Sequence, residues 1–271
     1  MRSARHLFLA LPLALSVLLL RAPAATAEFY ISGYVGESFT QNSDVTLKDT
    51  TFNLNATLNS VSFDNSFMGG GKAGYWLGFF PNLGIEVSLD RFIPNIDQQT
   101  VSTSVSSLGL PAGVVAVVPR RVTLGLNNLV PATFGGFPLV APVPIDKADL
   151  SVMDLGFHVV GRLRFLQDSS YPNGRLQPYL GAGPAIFFSS MRVKPFHNER
   201  EDSTDLGVDA LAGVKYFVHK YVSVFAEYKF SHFSTNRNFD LTFSGLRTTN
   251  VSMDLNTHQL YGGIAVHFDV H

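Results

Sequence analysis

Apolar and polar side chains alternate along most of this chain with a period of two, and a period near 3.6 is almost absent. Strands with two different faces produce such a pattern, because successive side chains leave a pleated backbone on opposite sides. Eight runs carry it, at 29–39, 67–78, 84–92, 151–165, 177–189, 204–217, 221–233 and 256–270. In the fourth, Met153, Leu155, Phe157, Val159, Leu163 and Phe165 share one face, while Asp154, Gly156, His158, Arg162 and Arg164 share the other. The seventh sets Val222, Val224, Ala226, Tyr228 and Phe230 against Ser223, Glu227 and Lys229. The last sets Leu260, Ile264, Val266, Phe268 and Val270 against Tyr261, Ala265, His267 and Asp269.

The connections between runs sort by parity. Those after the second, fourth and sixth runs are short (FFPNL, LQDSSYPNGRL, VHK), and the others are longer, with 93–150 the longest. Turns at one end and loops at the other describe a membrane barrel, and a soluble sandwich has no reason to sort its loops in this way. Eight strands are also about the fewest that close a barrel around a side-chain-filled interior. The pattern therefore predicts an all-β fold, an eight-stranded antiparallel up-and-down transmembrane barrel with short periplasmic turns and long extracellular loops.

Composition narrows the setting. Arg2 and Arg5 precede the apolar run 7–20, and Ala25-Thr26-Ala27 offers a cleavage site, so 1–27 reads as an export signal. That run is too short to serve as a spanning helix, which needs about 20 apolar residues. The mature part, 28–271, is expected to form one barrel domain in the outer membrane. A net charge of −1 argues against a nucleic-acid partner. Cysteine is absent, which removes disulfides and thiolate metal sites, and the eight histidines lack metal-ligand spacing. Gly69-Gly70-Gly71 lies inside a run and is not a phosphate loop. No cofactor or metal is expected. Phe29, Tyr30, Tyr75, Phe79, Phe80, Phe92, Phe165, Tyr179, Phe217 and Tyr221 stand near run ends, where an interfacial aromatic girdle would sit.

The segments QPYLGAGPAIFF, LAGVKYFVHKYVSVFAEYKFSH and THQLYGGIAVHFDV resemble the OmpA-like, opacity-type outer-membrane β-barrels of Gram-negative bacteria, a group of small porin-like barrels. The likeness is strongest over 153–271. It implies an eight-stranded barrel inserted by the barrel assembly machinery, with outer-membrane lipid and lipopolysaccharide as its surroundings. Two features depart from that pattern. The chain ends Phe268-Asp269-Val270-His271, not on an aromatic residue, and no peptidoglycan-binding segment follows the last run.

On the inward register lie Glu86, Asp90, Asp154, Asp209, Glu227 and Asp269, with Lys72, Arg162, Arg164, Lys215 and Lys229. Near-balance of the two signs suggests mutual pairing inside a narrow barrel, not a selective ring, so a small-solute channel is the lesser alternative. External loops then carry any surface interaction. Within 93–150, GLPAGVVAVVPRRVTLGLNNLV and FGGFPLVAPVPI are apolar for exposed loops. The segment is expected either to form a hairpin with Pro119-Arg120-Arg121 near its tip, binding a surface partner or lipid head groups, or to fold over the barrel mouth. HNEREDSTD (197–205) reads as a solvated acidic loop.

His232 and Ser234 share the parity of Tyr228 and Phe230, hence the outer face at the upper rim. A His-x-Ser pair there resembles the site of the lipid A 3-O-deacylases, which implies a triad of Ser234, His232 and Asp254. The family's His-x-Ser-Asn reads His232-Phe233-Ser234-Thr235 here, and no glutamate follows Glu227. The leading expectation is therefore a non-enzymatic barrel serving envelope integrity or adhesion, with an outer-membrane esterase as the alternative.

Overall fold

The computed structural model describes residues 27–49, 54–108, 117–119, 122–123, 125–126, 129–131, 139–145, 147–193, 200–240 and 248–270. Residues 1–26, within the stretch read as an export signal, lie outside them. In chain order the strands are β1 (Ala27–Thr40), β2 (Ser43–Asp49), β3 (Leu54–Val61), β4 (Ser66–Trp76), β5 (Leu83–Phe92), β6 (Gln99–Leu108), β7 (Val117–Pro119) and β8 (Val122–Thr123). They continue with β9 (Gly125–Leu126), β10 (Leu129–Pro131), β11 (Leu139–Ile145), β12 (Ala148–Arg162), β13 (Leu176–Val193), β14 (Arg200–His219), β15 (Val222–Asp240) and β16 (Thr248–Val270).

Eight of these strands close a ring in the order β1-β4-β5-β12-β13-β14-β15-β16, with β1 paired back to β16. Every ring pairing is antiparallel. Each ring strand overlaps one of the eight predicted runs, with β4 and β12 stopping two and three residues short of the predicted ends. This is the all-β, up-and-down barrel that the alternation predicts.

The stretches 41–66 and 93–150, read from sequence as loops, are instead largely strand. β2, β3, β6 and β11 prolong β1, β4, β5 and β12. The pairs Phe92–Val152, Ile96–Ala148 and Gln99–Ile145 keep one unbroken register from β5/β12 up through β6/β11. Ser38–Ser66 and Ser43–Val61 do the same at the base of the first hairpin, where the register then shifts by one residue at Val45–Leu58. Between β16 and its first neighbour the register slips by one residue, from Thr40–Thr257 to Val45–Met253. The wall therefore stands much taller than a bilayer requires. β16 alone has 23 residues, whereas a spanning strand needs about 9–11. In the apolar tip segment β7 pairs with β10 and β8 with β9, so Pro119 lies in a strand and the turn falls beyond it. Arg120 and Arg121 lie outside the described residues.

Two solvents explain the burial. On the lower part of β16, Leu260, Ile264, Val266 and Phe268 face outward and are exposed, while Thr257, Gln259, Tyr261 and His267 are buried inside. On its upper part the chemistry of the faces exchanges without any break in alternation. Val251, Met253 and Leu255 point in and are buried, and Asp254 points out. β12 repeats the exchange, with Ala148, Leu150 and Val152 buried above Asp154, His158 and Arg162. The lower wall meets hydrocarbon and the upper wall meets water, where the ordinary rule of apolar inside returns.

Of the aromatics placed at run ends, Phe79, Phe80, Phe165 and Tyr221 are exposed near the short turns, but Tyr30, Phe92, Tyr179 and Phe217 are buried. Strand parity aims those four rings into the barrel. Tyr30 and Tyr179 lie directly opposite Gly74 and Gly213, and a Cβ on Gly213 would stand 2.7 Å from the Tyr179 ring. These glycines make room for the rings. Gly213→Val is accordingly expected to cost about 1–3 kcal/mol, the usual penalty of overpacking. Urea titration in detergent micelles, followed by fluorescence of the single tryptophan Trp76, measures it.

Candidate functional site: a filled lumen and an outer rim

Three tiers of charge fill the lower lumen. Nearest the short turns, Arg162 Nη1 donates to Glu28 Oε2 at 2.6 Å and to Gln177 Oε1 at 3.1 Å, while its guanidinium lies 4.1 Å from the Trp76 ring centroid. Glu28 also meets His267 Nδ1 at 2.6 Å and Asn173 Nδ2 at 3.2 Å. The first strand is thus tied to β12, to the turn after it and to the closing strand.

In the middle tier Lys72 bridges Glu227 and Glu86, the latter at 3.2 Å. Tyr179 and Tyr261 donate to Glu227, and Tyr30 donates to Glu86. Lys215 lies 3.8 Å from the Tyr30 ring centroid, so an aromatic face supports its charge. In the top tier Lys229 gathers Asp90, Asp154 at 2.6 Å and Asp209 at 3.6 Å. His158 joins Asp209 at 3.0 Å and approaches Glu86 at 3.7 Å, and Tyr34 donates to Asp90.

Of the residues read from sequence as a lumen network, Lys72, Glu86, Asp90, Asp154, Arg162, Asp209, Lys215, Glu227 and Lys229 are buried in these tiers. Arg164 is not among them. β12 ends at Arg162, but the same register runs on to the Phe165–Leu176 bridge, so Arg164 keeps the inward parity and is half-exposed at the mouth beside the short turn. The side chain of Asp269 lies outside the described residues. Glu28, one position before the first run, also belongs to the network, because β1 begins earlier than the alternation does. His158 and His267 stood on inward faces but were left out of the charge count, and four tyrosines that bind carboxylates were not recognised as part of the network.

Above Lys229 the interior turns apolar. Phe187 and Phe233 stack at 4.0 Å between centroids, and Met191, Val251, Met253, Leu255, Leu58 and Val101 are buried in the same core. The cation within this upper core is Arg237, which donates to Ser189 Oγ, and to the Glu201 carbonyl at 3.1 Å. Burial lowers its pKa from the usual value. Among the described residues, paired charges below and an apolar core above occupy the lumen.

The outer rim lies on β15 and β16, where the outward face changes from apolar to polar. Ser234 sits directly opposite Asp254, and His232 opposite Asn256. His232 Nδ1 is 2.7 Å from Asn256 Oδ1, so its imidazole engages the neighbouring strand. One step lower, His258 joins Tyr228 Oη at 2.6 Å and Gln41 Nε2 at 2.7 Å. The strands bring Ser234 and Asp254 together as outward neighbours, with His232 two positions along the same face.

An apolar outer wall around a charged, filled lumen inverts a soluble barrel and defines an integral membrane β-barrel. No family model matches the chain, and no curated protein matches it. Among solved structures it is similar to Neisserial surface protein A, at 14% identity over 89% of this chain and 97% of that one, with a TM-score of 0.46. It is also similar to the outer membrane protease OmpT of Escherichia coli, at 8% identity over 89% and 97%, with a TM-score of 0.45. A third is OprG of Pseudomonas aeruginosa, at 13% identity over 91% and 98%, with a TM-score of 0.41. At such values the architecture rests on the strand register itself.

The top tier generates a stability prediction. Lys229→Met leaves three carboxylates facing one another without their shared cation, and breaking a buried pair in this way costs about 3–5 kcal/mol. Unfolding in micelles should show that loss, and a cost under about 1 kcal/mol would mean that the tier does not hold the barrel together.

Proposed function

We propose that this protein is an exported outer-membrane barrel, inserted by the barrel assembly machinery, that conducts no solute. It supports the envelope and presents its tall external wall to surface partners. The observation that carries this reading is the exchange of the inward face from paired charge to apolar core within unbroken strands. A conducting pore needs a continuous aqueous path, and both halves of this interior are occupied by side chains. The strand extensions β2, β3, β6 and β11 give the external part a hydrophobic core of its own, which suits a rigid platform for its tips. Surrounding outer-membrane lipid and lipopolysaccharide are its first partners.

Two measurements test the proposal. In planar bilayers, purified barrel should give no steady conductance above the lipid baseline. A deletion that tests surface contact must spare β6 and β11, which are wall, and so removes 109–138. That variant should keep the heat-shifted gel mobility of a folded barrel while cells displaying it lose adhesion to an immobilised extracellular matrix. Retained adhesion places the contact elsewhere.

A second reading is favoured by one observation, the outward pairing of Ser234 with Asp254 beside His232. It makes the rim an esterase acting on lipid A, with Ser234 as nucleophile, His232 as base and Asp254 orienting the base. The imidazole must then leave Asn256 to reach the hydroxyl. Isolated membranes should release a fatty acyl chain from lipid A with wild-type protein and none with Ser234→Ala. Absence of release from wild type ends that reading.

A further inference from the structure

Above the rim the wall has a seam. The last rung between β14 and β15 is Gly207–Phe233. Beyond it β14 stays paired with β13 as far as Arg200, and β15 stays paired with β16 as far as Asp240. Among the described residues nothing pairs with the facing edges, 200–206 and 234–240. The seam begins at the level of His232, where the outward face turns polar, so the ladder is unbroken in hydrocarbon and opens only above it.

The backbone groups left free can be assigned. The N–H and C=O of one residue leave a strand on the same side, and the side alternates along the chain. Phe217 N donates to Arg175 O, just before β13. Odd-numbered residues of β14 therefore turn toward β13, and Asp202, Thr204 and Leu206 turn toward the seam. Gln41 N donates to Asn256 O, so even-numbered residues of β16 turn toward β2 and odd ones toward β15. Across Leu255–Phe233 and Met253–Thr235, that leaves Ser234 and Asn236 turned toward the seam.

Side chains bridge the gap that the backbones leave. Thr235 Oγ1 lies 3.4 Å from Ser203 Oγ, and Arg237 Nη1 donates to the Glu201 carbonyl at 3.1 Å. On β14 the inward-facing Glu201, Ser203 and Asp205 are half-exposed, whereas Thr235 and Arg237 across the seam are buried. Water therefore reaches the β14 side. An unpaired edge is a template for another strand, commonly blunted by lysine or proline. Neither REDSTDL nor STNRNFD contains either residue. The surroundings are acidic, with Glu201, Asp202 and Asp205 on β14 and Asp254 beside Ser234.

We infer that the seam receives an extended, basic peptide segment of a surface partner, which adds as a strand between β14 and β15. The side-chain bridges give way, and the edges part to roughly 10 Å, two strand spacings. The guest runs antiparallel to one edge and parallel to the other. Its main chain pairs with Asp202 and Thr204 on one side and with Ser234 and Asn236 on the other, while its lysine or arginine side chains meet the acids. This deepens the reading that the external wall meets surface partners, and rests on it.

The purified full chain in detergent micelles is titrated, by fluorescence anisotropy, with a labelled peptide of alternating threonine and lysine. That peptide should bind about fivefold more tightly than its threonine–glutamate counterpart. N-methylation of its alternate amides, which keeps the charge and removes the donors, should cost about tenfold. Asn236→Pro takes away one seam-facing N–H without touching the β16 ladder and should weaken binding about fivefold. The chain has no cysteine, so Ser203→Cys combined with Thr235→Cys can be oxidised to staple the seam. Binding should vanish in the oxidised form and return on reduction. Heat-shifted mobility verifies the fold of each variant. Equal binding of the N-methylated peptide, full binding by the stapled chain, or no saturable binding to folded wild type overturns the seam. A peptide-free dimer that the staple abolishes overturns it too, by making a second copy the occupant. Steady conductance in bilayers overturns the broader reading, which failure of the peptide alone leaves standing.

Discussion

Hydrocarbon offers no partner to a backbone amide, so a sheet that crosses it must have no open edge. Here the requirement is met where the first strand of the ring meets the last. Fourteen residue pairs join β1 to β16, from Ala27–Val270 to Thr40–Thr257. Everything else follows from that closure. A ring of eight strands fixes a narrow bore, the bore fixes how many side chains it must hold, and the surrounding lipid decides that those side chains are polar. The tie from Glu28 to Arg162 and His267 anchors the very start of the closing ladder.

The interior side chains of the ring strands are buried and pack as a core does. Buried ion pairs contribute little net stability against apolar isosteres, but a broken one is expensive. A barrel whose outside must be greasy cannot also have a greasy inside without losing the contrast that tells the strands which way to face. Paired charges and tyrosine hydroxyls therefore specify orientation at small energetic cost. Above the membrane that need disappears, and Phe187, Phe233 and Met253 form an ordinary apolar core.

Much of this was written in the sequence. Period-two alternation located all eight ring strands, and parity put nine charged residues inside. The misreadings share a cause. The alternation alone ends a strand where its apolar face ends, yet in β12 the adjacent residues Val152 and Met153 are both apolar, one facing in and one out. In β16 Leu255 and Leu260 have opposite parity for the same reason. Such a pair marks the place where the surrounding solvent changes. Without that signal, 41–66 and 93–150 looked like loops. Arg164 shows that inward parity alone does not mean burial, since its side chain stands half-exposed at the open mouth of the ring. The rim was legible only as a pattern of residue types, because the register that sets Ser234 against Asp254 depends on a pairing nineteen residues long.

The height of the wall has a consequence for reach. Above Thr257, β16 continues for nine residues to Thr248, which at an ordinary strand rise and barrel tilt lifts its end roughly 25 Å clear of the bilayer. That distance is comparable to the diameter of a small folded domain. The ends of the described strands therefore stand about one domain's width away from the apolar band that β16 presents around Leu260 and Ile264.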